Sequence, residues 1–415
     1  MSTVAYLTNQ FPSPVEPYVV DEIRELRCRG VRVLPCSAWR AEGAVLDGEL
    51  AIFAAETLYL QPLRLTRLLR AAWFCLRKFT LLASFFERAL VQGNESPKRR
   101  ARALLHTCLG VYYAMLLEGR GVEHIHVHHG YFASWIAMVA ARVLGIGFSM
   151  TLHGSDLLLH SAYLDIKLKN CAFCLTVSEY NRRHILKRYP EIEPGKIRVQ
   201  HIGVETGGHV CLPARVQPEK SCLVMLAVGR LHSVKDHAFL VRACRRLRDR
   251  GMNLLCLIAG EGPERASLDR LISELGLEKE VRLLGHVPRQ QLDPYYAMAD
   301  VVVLTSRSEG IPLVLMEAMA LVKTVLAPAI TGIPELVMHG KTGFLYSINS
   351  MDDFVARVEM IHGSGPGLQP IRQAARQHVL EHFNRERNLS QFCDFFVAQV
   401  TATSESNVHE SPLLQ

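Results

Sequence analysis

Glu309 and Glu317, with seven residues between them, bracket Ser306-Arg307-Ser308-Glu309-Gly310-Ile311-Pro312-Leu313 and the apolar run that follows. Two carboxylates placed this way can accept hydrogen bonds from several hydroxyls of one extended ligand. Two glutamates alone mean little, because chance pairs are common. The specific signal is their setting: a strand-like run at residues 301–304, a glycine loop, then a proline opening a helix. A strand, a tight loop and a helix N-terminus make an anion site, because free N–H groups point outward at the positive helix end. Gly310, Ile311, Pro312 and Leu313 form that mouth.

Positive charge follows an earlier strand. Gly229-Arg230-Leu231, with Lys235 shortly after, comes directly after an apolar run at 222–228, at the carboxyl end where α/β ligands bind. A guanidinium and an ammonium there can neutralise a departing diphosphate. The plainer alternative is two solvated surface cations. Gly260-Glu261-Gly262-Pro263 reads as an ordinary strand-to-helix turn. In the first half, Thr151-Leu152-His153-Gly154-Ser155-Asp156 ends a strand and enters a loop. An imidazole there can hydrogen-bond a ligand or stabilise charge at a reacting centre. His124, His126 and His128 alternate along one strand face ahead of His129 and Gly130, so three rings share a side and metal coordination is geometrically possible. Lining of a cleft and packing within the sheet are the competing readings. Cys171-Ala-Phe-Cys174, the one CxxC, sits in a strand-like run with no second pair downstream, and is read as core.

These residues need a scaffold of short strands and intervening helices. Apolar runs alternate with helical-period segments from end to end, the pattern of parallel βαβ units. Strands are expected at 4–7, 31–35, 125–127, 148–152, 173–177 and 197–200, and again at 222–228, 254–259, 281–284, 301–304 and 324–327. The chain's 415 residues, 49% hydrophobic and 21% charged, suit two folded domains. We expect a first domain over 1–208, a linker at 209–220, a second domain over 221–385, a helix at 386–403 packing back toward the first domain, and a disordered tail at 404–415. The eleven cysteines are an odd number scattered through apolar segments, so reduced thiols and a cytoplasmic setting are expected. Neither a signal peptide nor a transmembrane run is apparent.

A net charge of +7 is modest and gives no reason to expect nucleic acid. Its distribution is uneven. Residues 61–110 hold ten basic residues (Arg64, Arg67, Arg70, Arg77, Lys78, Arg88, Lys98, Arg99, Arg100, Arg102) against Glu87 and Glu95, a local +8. Leu65, Leu68, Leu69, Trp73, Leu76, Phe79 and Leu82 recur there at helical spacing. A basic amphipathic helix beside anionic headgroups and a core-packing helix with a solvated basic face are both open.

The segments quoted resemble the retaining glycosyltransferases of family 4, most densely over 226–345, with a stronger likeness to exopolysaccharide and colanic-acid-type members than to starch or sucrose enzymes. Thr331-Gly332-Ile333-Pro334-Glu335 and Gly340-Lys341-Thr342-Gly343 match the same pattern. The resemblance implies the GT-B architecture, α/β, with two Rossmann-like domains facing each other across a cleft. It implies donor binding by the second domain at Gly229, Arg230, Lys235, Gly260, Gly262, Glu309, residues 310–313 and Glu317. Glu309 would meet the sugar, Glu317 the ribose, and His153, Glu309, Arg230 and Lys235 would carry the chemistry. Glu16, His128, Gly130 and Asp156 would lie toward the acceptor. Related members carry a similar His-rich strand without a metal, so no metal or other cofactor is expected. The family commonly has Lys-Gly where this chain has Lys235-Asp236, and Asp236 is available as an N-cap instead. Expected partners are a UDP- or GDP-sugar and a glycan or polyprenyl-diphosphate-linked acceptor, with peripheral placement at the inner membrane face. A G-x-G-x-x-G is missing after the first strand and no P-loop motif occurs, which argues against an NAD oxidoreductase or an ATPase. A sugar-nucleotide epimerase and a non-catalytic sugar-nucleotide-binding protein remain as alternatives.

Overall fold

A computed structural model describes residues 2–13, 16–40, 48–93, 95–158, 161–206 and 222–406. The linker expected at 209–220 lies outside the described residues, as does the expected tail from 407 on.

The chain divides into two units, the first holding residues up to 177, 181–200 and those from 389 on, the second 178–180 and 201–388. In the first, β1 (Thr3–Gln10), β2 (Arg32–Trp39), β3 (Leu58–Tyr59), β4 (His124–His128), β5 (Gly147–Leu152), β6 (Cys174–Thr176) and β7 (Ile197–Val199) form one parallel sheet, ordered β3-β2-β1-β4-β5-β6-β7. The two-residue period of a strand sends Ala5 and Leu7 to one core and Val4 and Tyr6 to the other, so both faces are apolar. Phe392, Cys393 and Phe396 of the Arg385–Ser406 helix belong to the second of these cores, with Val4 and Tyr6.

The second unit repeats the logic with β8 (Leu223–Val228), β9 (Leu254–Ala259), β10 (Val281–Gly285), β11 (Val301–Val303), β12 (Thr324–Pro328) and β13 (Phe344–Tyr346), ordered β10-β9-β8-β11-β12-β13. Met225 and Val303 face one core, Leu226 and Val302 the other. The short β3 and β13 were not among the expected strands. In each sheet the strand order reverses once, between β1 and β4 and between β8 and β11. Such switch points open a crevice at the strands' carboxyl ends, where α/β proteins bind ligands.

The basic segment is three helices rather than one: Leu65–Arg77, Phe79–Leu90 and Pro97–Leu117. The first ends at Lys78, whose φ of −107° and ψ of 38° leave the helical region. Among the described residues no helix is long and apolar enough to cross a membrane.

Candidate functional site

In the second unit, β8 and β11 deliver their following loops to the same switch point. Lys235 Nζ lies 2.5 Å from Glu309 Oε1, joining the two loops by an ion pair across 74 residues of sequence. The backbone around both ends is braced: Thr305 Oγ1 donates to the Lys235 carbonyl at 2.9 Å, and Thr331 Oγ1 donates to the Glu309 carbonyl at 2.6 Å. Asp236 fills the place where glycine is common in two ways at once. It adopts the left-handed conformation at φ 48°, which aspartate tolerates better than most residues, and its carboxylate accepts from Phe239 N to cap the His237–Asp249 helix. Its other oxygen takes Arg307 Nε at 2.8 Å. Arg230 is exposed and has no ion-pair partner among the described residues.

Glu317 sits deeper, buried on the Leu313–Ala320 helix that Pro312 opens. Its carboxylate pairs with Arg289 Nε at 2.8 Å and accepts from the Tyr296 hydroxyl at 2.9 Å. Burial and then the Glu317 charge push the Tyr296 phenol well above its ordinary value, so it stays a donor. Gly260 and Gly262 let the β9 loop lie against the β8 loop. A Cβ on Gly260 would stand 1.9 Å from the Gly229 carbonyl oxygen, and one on Gly262 2.4 Å from that of Leu231. No side chain fits at Gly260 without moving Gly229, or at Gly262 without moving Leu231. The hydroxyls of Ser306 and Ser308 and both ring nitrogens of His237 are buried without a hydrogen-bond partner among the described residues. Burial, with Lys235 nearby, pulls His237 down to about 4, so it is neutral.

The first unit assembles a second constellation at its own switch point, after β1 and β4. His128 Nδ1 is 3.0 Å from His153 Nε2, and His128 Nε2 is 3.0 Å from Glu22 and 3.2 Å from the Tyr6 hydroxyl. A proton on His128 Nε2 donates to Glu22 and leaves Nδ1 to accept from His153, whose own Nδ1 then stays an acceptor. His129, at φ 70°, turns the chain out of β4 and places Nε2 2.7 Å from Glu16 and Nδ1 3.7 Å from Asp156. Burial opposes its charge, but Asp156 and Glu16 outweigh it and hold the ring protonated, pushed up to about 10. Asp156 is wholly enclosed and accepts from the backbone N–H of Gly130, His153, Gly154 and Leu157 at 2.7–3.1 Å. Burial works against its charge as well, yet His129 keeps the carboxyl well below the usual range.

The sequence-derived residues therefore fall into two kinds. His153 and Glu16 remain partly accessible, whereas His128 and Asp156, read as lining an acceptor cleft, have 0% exposure and act on the loop from behind. His124 and His126 face β5, where both bond the Ser149 hydroxyl, at 2.7 and 2.8 Å. Among the described residues no group of three His, Cys, Asp or Glu side chains is arranged to hold a metal ion. None of the described cysteines is in a disulfide, and burial pushes the Cys171 thiol up to about 12. Lys167 went unnoticed in the sequence because it resembles any helix lysine. It is buried, donates to the carbonyls of Gly130, Tyr131 and Ala162 at 2.7, 3.0 and 3.2 Å, and burial lowers it to about 7.

The histidines of this sheet give a first expected result. Burial lowers His124 to about 3 and holds His126 and His153 well below the ordinary value. Below about pH 6.5 the unfolded chain protonates these rings while the fold keeps them neutral, so stability falls as pH falls. Each ring contributes about 1.4 kcal/mol per pH unit to that slope. Urea unfolding of His124→Gln between pH 6.5 and 4 should show a slope smaller by one such increment. An unchanged slope would assign the acid loss to other groups.

Two family models tile most of this framework: Glycosyltransferase Family 4 over residues 87–207 and Glycosyl transferases group 1 over 214–378. The chain belongs to the group 1, family 4 glycosyltransferases, and its two parallel sheets have the GT-B fold. It is 33% identical over 202 residues to the colanic acid biosynthesis glycosyltransferase WcaL of Salmonella typhimurium, covering 46% of this chain and 49% of that one. It is 32% identical over 169 residues to the amylovoran biosynthesis glycosyltransferase AmsK of Erwinia amylovora, covering 39% and 42%. The matches thus span about half the length of these curated relatives or less. Among solved structures, Anabaena HepE in complex with UDP and glucose shares the fold, with a TM-score of 0.68 at 16% identity, covering 96% of this chain and all of that one.

Proposed function

We propose that this protein transfers a sugar, with retention, from a UDP- or GDP-sugar to a glycan or lipid-linked glycan acceptor in the assembly of a bacterial surface polysaccharide. The Lys235–Glu309 ion pair at the β8/β11 switch point carries the reading. A cation and a carboxylate held together there match a donor that presents a diphosphate and sugar hydroxyls side by side. Lys235 turns to the diphosphate with Arg230, and Glu309 is released to the sugar. Glu317, with Arg289 behind it, takes the ribose. The anomeric C–O bond to phosphate breaks, the acceptor oxygen bonds to the same carbon on the same face, and the acceptor proton passes to the leaving phosphate. Lys235 and Arg230 stabilise the charge that develops on that phosphate, which is why we expect transfer without a metal. His153 supports the sugar through its Nδ1 acceptor. The names of WcaL and AmsK favour exopolysaccharide assembly, and a polyprenyl-diphosphate acceptor would place the protein at the cytoplasmic face of the membrane.

Thermal unfolding with UDP, GDP and ADP, with NAD as control and each with and without EDTA, tests the donor site. A ligand at a hundredfold excess over Kd that binds only the fold stabilises it by about 2.7 kcal/mol. We expect one of UDP or GDP to produce that shift undiminished by EDTA, and NAD to produce none. A shift that requires added divalent metal would overturn the metal-free reading, and no shift with any diphosphate would overturn the donor site.

A further inference from the structure

The Leu65–Arg77 helix is amphipathic in an unusual sense: it shows apolar residues to solvent. Ala71 and Cys75 are buried, yet Leu65, Leu69, Trp73 and Leu76 are 69%, 62%, 65% and 73% exposed. At about 100° per residue those four side chains fall within about 80° of one another, a continuous stripe along the helix. Phe79, 53% exposed and stacked on Phe86 with centroids 5.1 Å apart, carries the patch past the helix break. Isolated exposed leucines are commonplace, but a contiguous stripe of this kind marks an interaction surface.

The charges around it identify the occupant. Arg88 is engaged internally by Glu95 and Asp165, and Arg100 by the carbonyls of Leu90, Gly93 and Glu95. Arg67 lies over the Tyr112 ring. The side chains of Arg70, Arg77, Lys78, Lys98, Arg99 and Arg102 have no such partner among the described residues, and Arg70 and Arg77 flank the apolar stripe on the same helix. Glu87 and Glu95 are the acidic residues of the segment, and Glu95 is neutralised by Arg88. Exposed leucine and tryptophan rimmed by unneutralised arginine match a bilayer surface, with hydrocarbon just beneath a layer of negative headgroups. A second copy of the chain would bring the same positive rim against itself.

We infer that the Leu65–Arg77 helix seats this protein on anionic membranes, with Leu65, Leu69, Trp73 and Leu76 inserted at the headgroup level and Arg70 and Arg77 on the lipid phosphates. The inference deepens the lipid-linked acceptor reading and rests on it for its purpose, but its test needs neither donor nor acceptor, so the two can fail separately. Full-length protein is sedimented with vesicles of phosphatidylglycerol and phosphatidylcholine, and with phosphatidylcholine alone. Binding is expected only to the anionic vesicles, with a blue shift in tryptophan emission that Trp73→Phe abolishes. Leu69→Ser/Leu76→Ser should weaken binding about 30-fold by removing half-inserted apolar area. Arg70→Gln/Arg77→Gln should weaken it about 25-fold, at about fivefold per basic residue. All four positions are solvent-exposed, so circular dichroism and the UDP or GDP thermal shift should be unchanged in these variants. Equal binding to neutral vesicles, binding unaffected by Leu69→Ser/Leu76→Ser, or a dimer in sedimentation that these substitutions dissolve would each overturn the inference.

Discussion

Lys235→Met is expected to slow sugar transfer about a hundred- to a thousandfold at saturating donor, the range seen when one group aimed at developing charge is removed. The difficulty in reading such a variant is that Lys235 also has a structural partner. Its ammonium is 2.5 Å from Glu309, whose side chain is only 13% exposed, so Lys235→Met leaves a carboxylate short of its counter-charge. Loss of stability would then imitate loss of catalysis. The double variant Lys235→Met/Glu309→Gln separates the two, because removing both partners of a part-buried pair is far milder than removing one. Urea unfolding should return the double variant to within about 1 kcal/mol of the native stability. Initial rates should stay at or below those of the worse single variant. Recovery of transfer together with stability would make the pair a brace between the β8 and β11 loops and remove both residues from the mechanism.

What could be read without coordinates were loops whose residue types and strand context agree. Gly229, Arg230 and Lys235 follow β8, and Glu309 follows β11, so the parallel βαβ rhythm alone brings them to one end of a sheet. That Lys235 and Glu309 meet each other could not be read, because strand order decides which loops are neighbours and a βαβ rhythm allows several orders. Arg289 illustrates the same limit. It lies in an unexceptional Val-Pro-Arg-Gln-Gln turn, and only packing of that turn beside the Leu313–Ala320 helix makes it the counter-charge of Glu317. The basic segment shows a subtler failure. Periodicity correctly gave helix, but period says that a face is apolar without saying what covers it. Small residues, Ala71 and Cys75, took the packed side, where close approach to the Pro97–Leu117 helix favours them, and the large ones were left outside. The burial of Asp156 and Lys167 shows the opposite limit. A carboxylate and an ammonium are expected in water, and only the backbone they satisfy explains their burial.

Asp156→Ala is the substitution expected to damage the fold most, by about 3–5 kcal/mol, the cost of removing one partner from a buried charged network. The carboxylate of Asp156 is the acceptor for the N–H groups of Gly130, His153, Gly154 and Leu157, and it faces the protonated His129. Alanine strips acceptors from several buried donors and leaves an imidazolium with Glu16 alone. Asp156→Asn should rescue little, because its amide replaces one acceptor oxygen with a donor pointed at N–H groups and at a cation. By contrast, Glu16→Gln weakens the contact with His129 at a partly exposed position and should lower stability by about 1 kcal/mol. The sign of the pH dependence provides the internal control. Asp156 has its carboxyl depressed, so its contribution is present above its unfolded value near 3.9 and fades as pH falls through the folded one. His129 is raised to about 10, so its contribution is present below about 6.5 and is lost as pH rises through 10. The difference in unfolding free energy between native protein and Asp156→Ala should therefore be greatest between about pH 4 and 6.5 and shrink toward both extremes. A residue that merely touched an acceptor would change KM and leave unfolding alone. If Asp156→Ala unfolds in urea like the native protein, the loop that carries His153 is held by something other than this carboxylate.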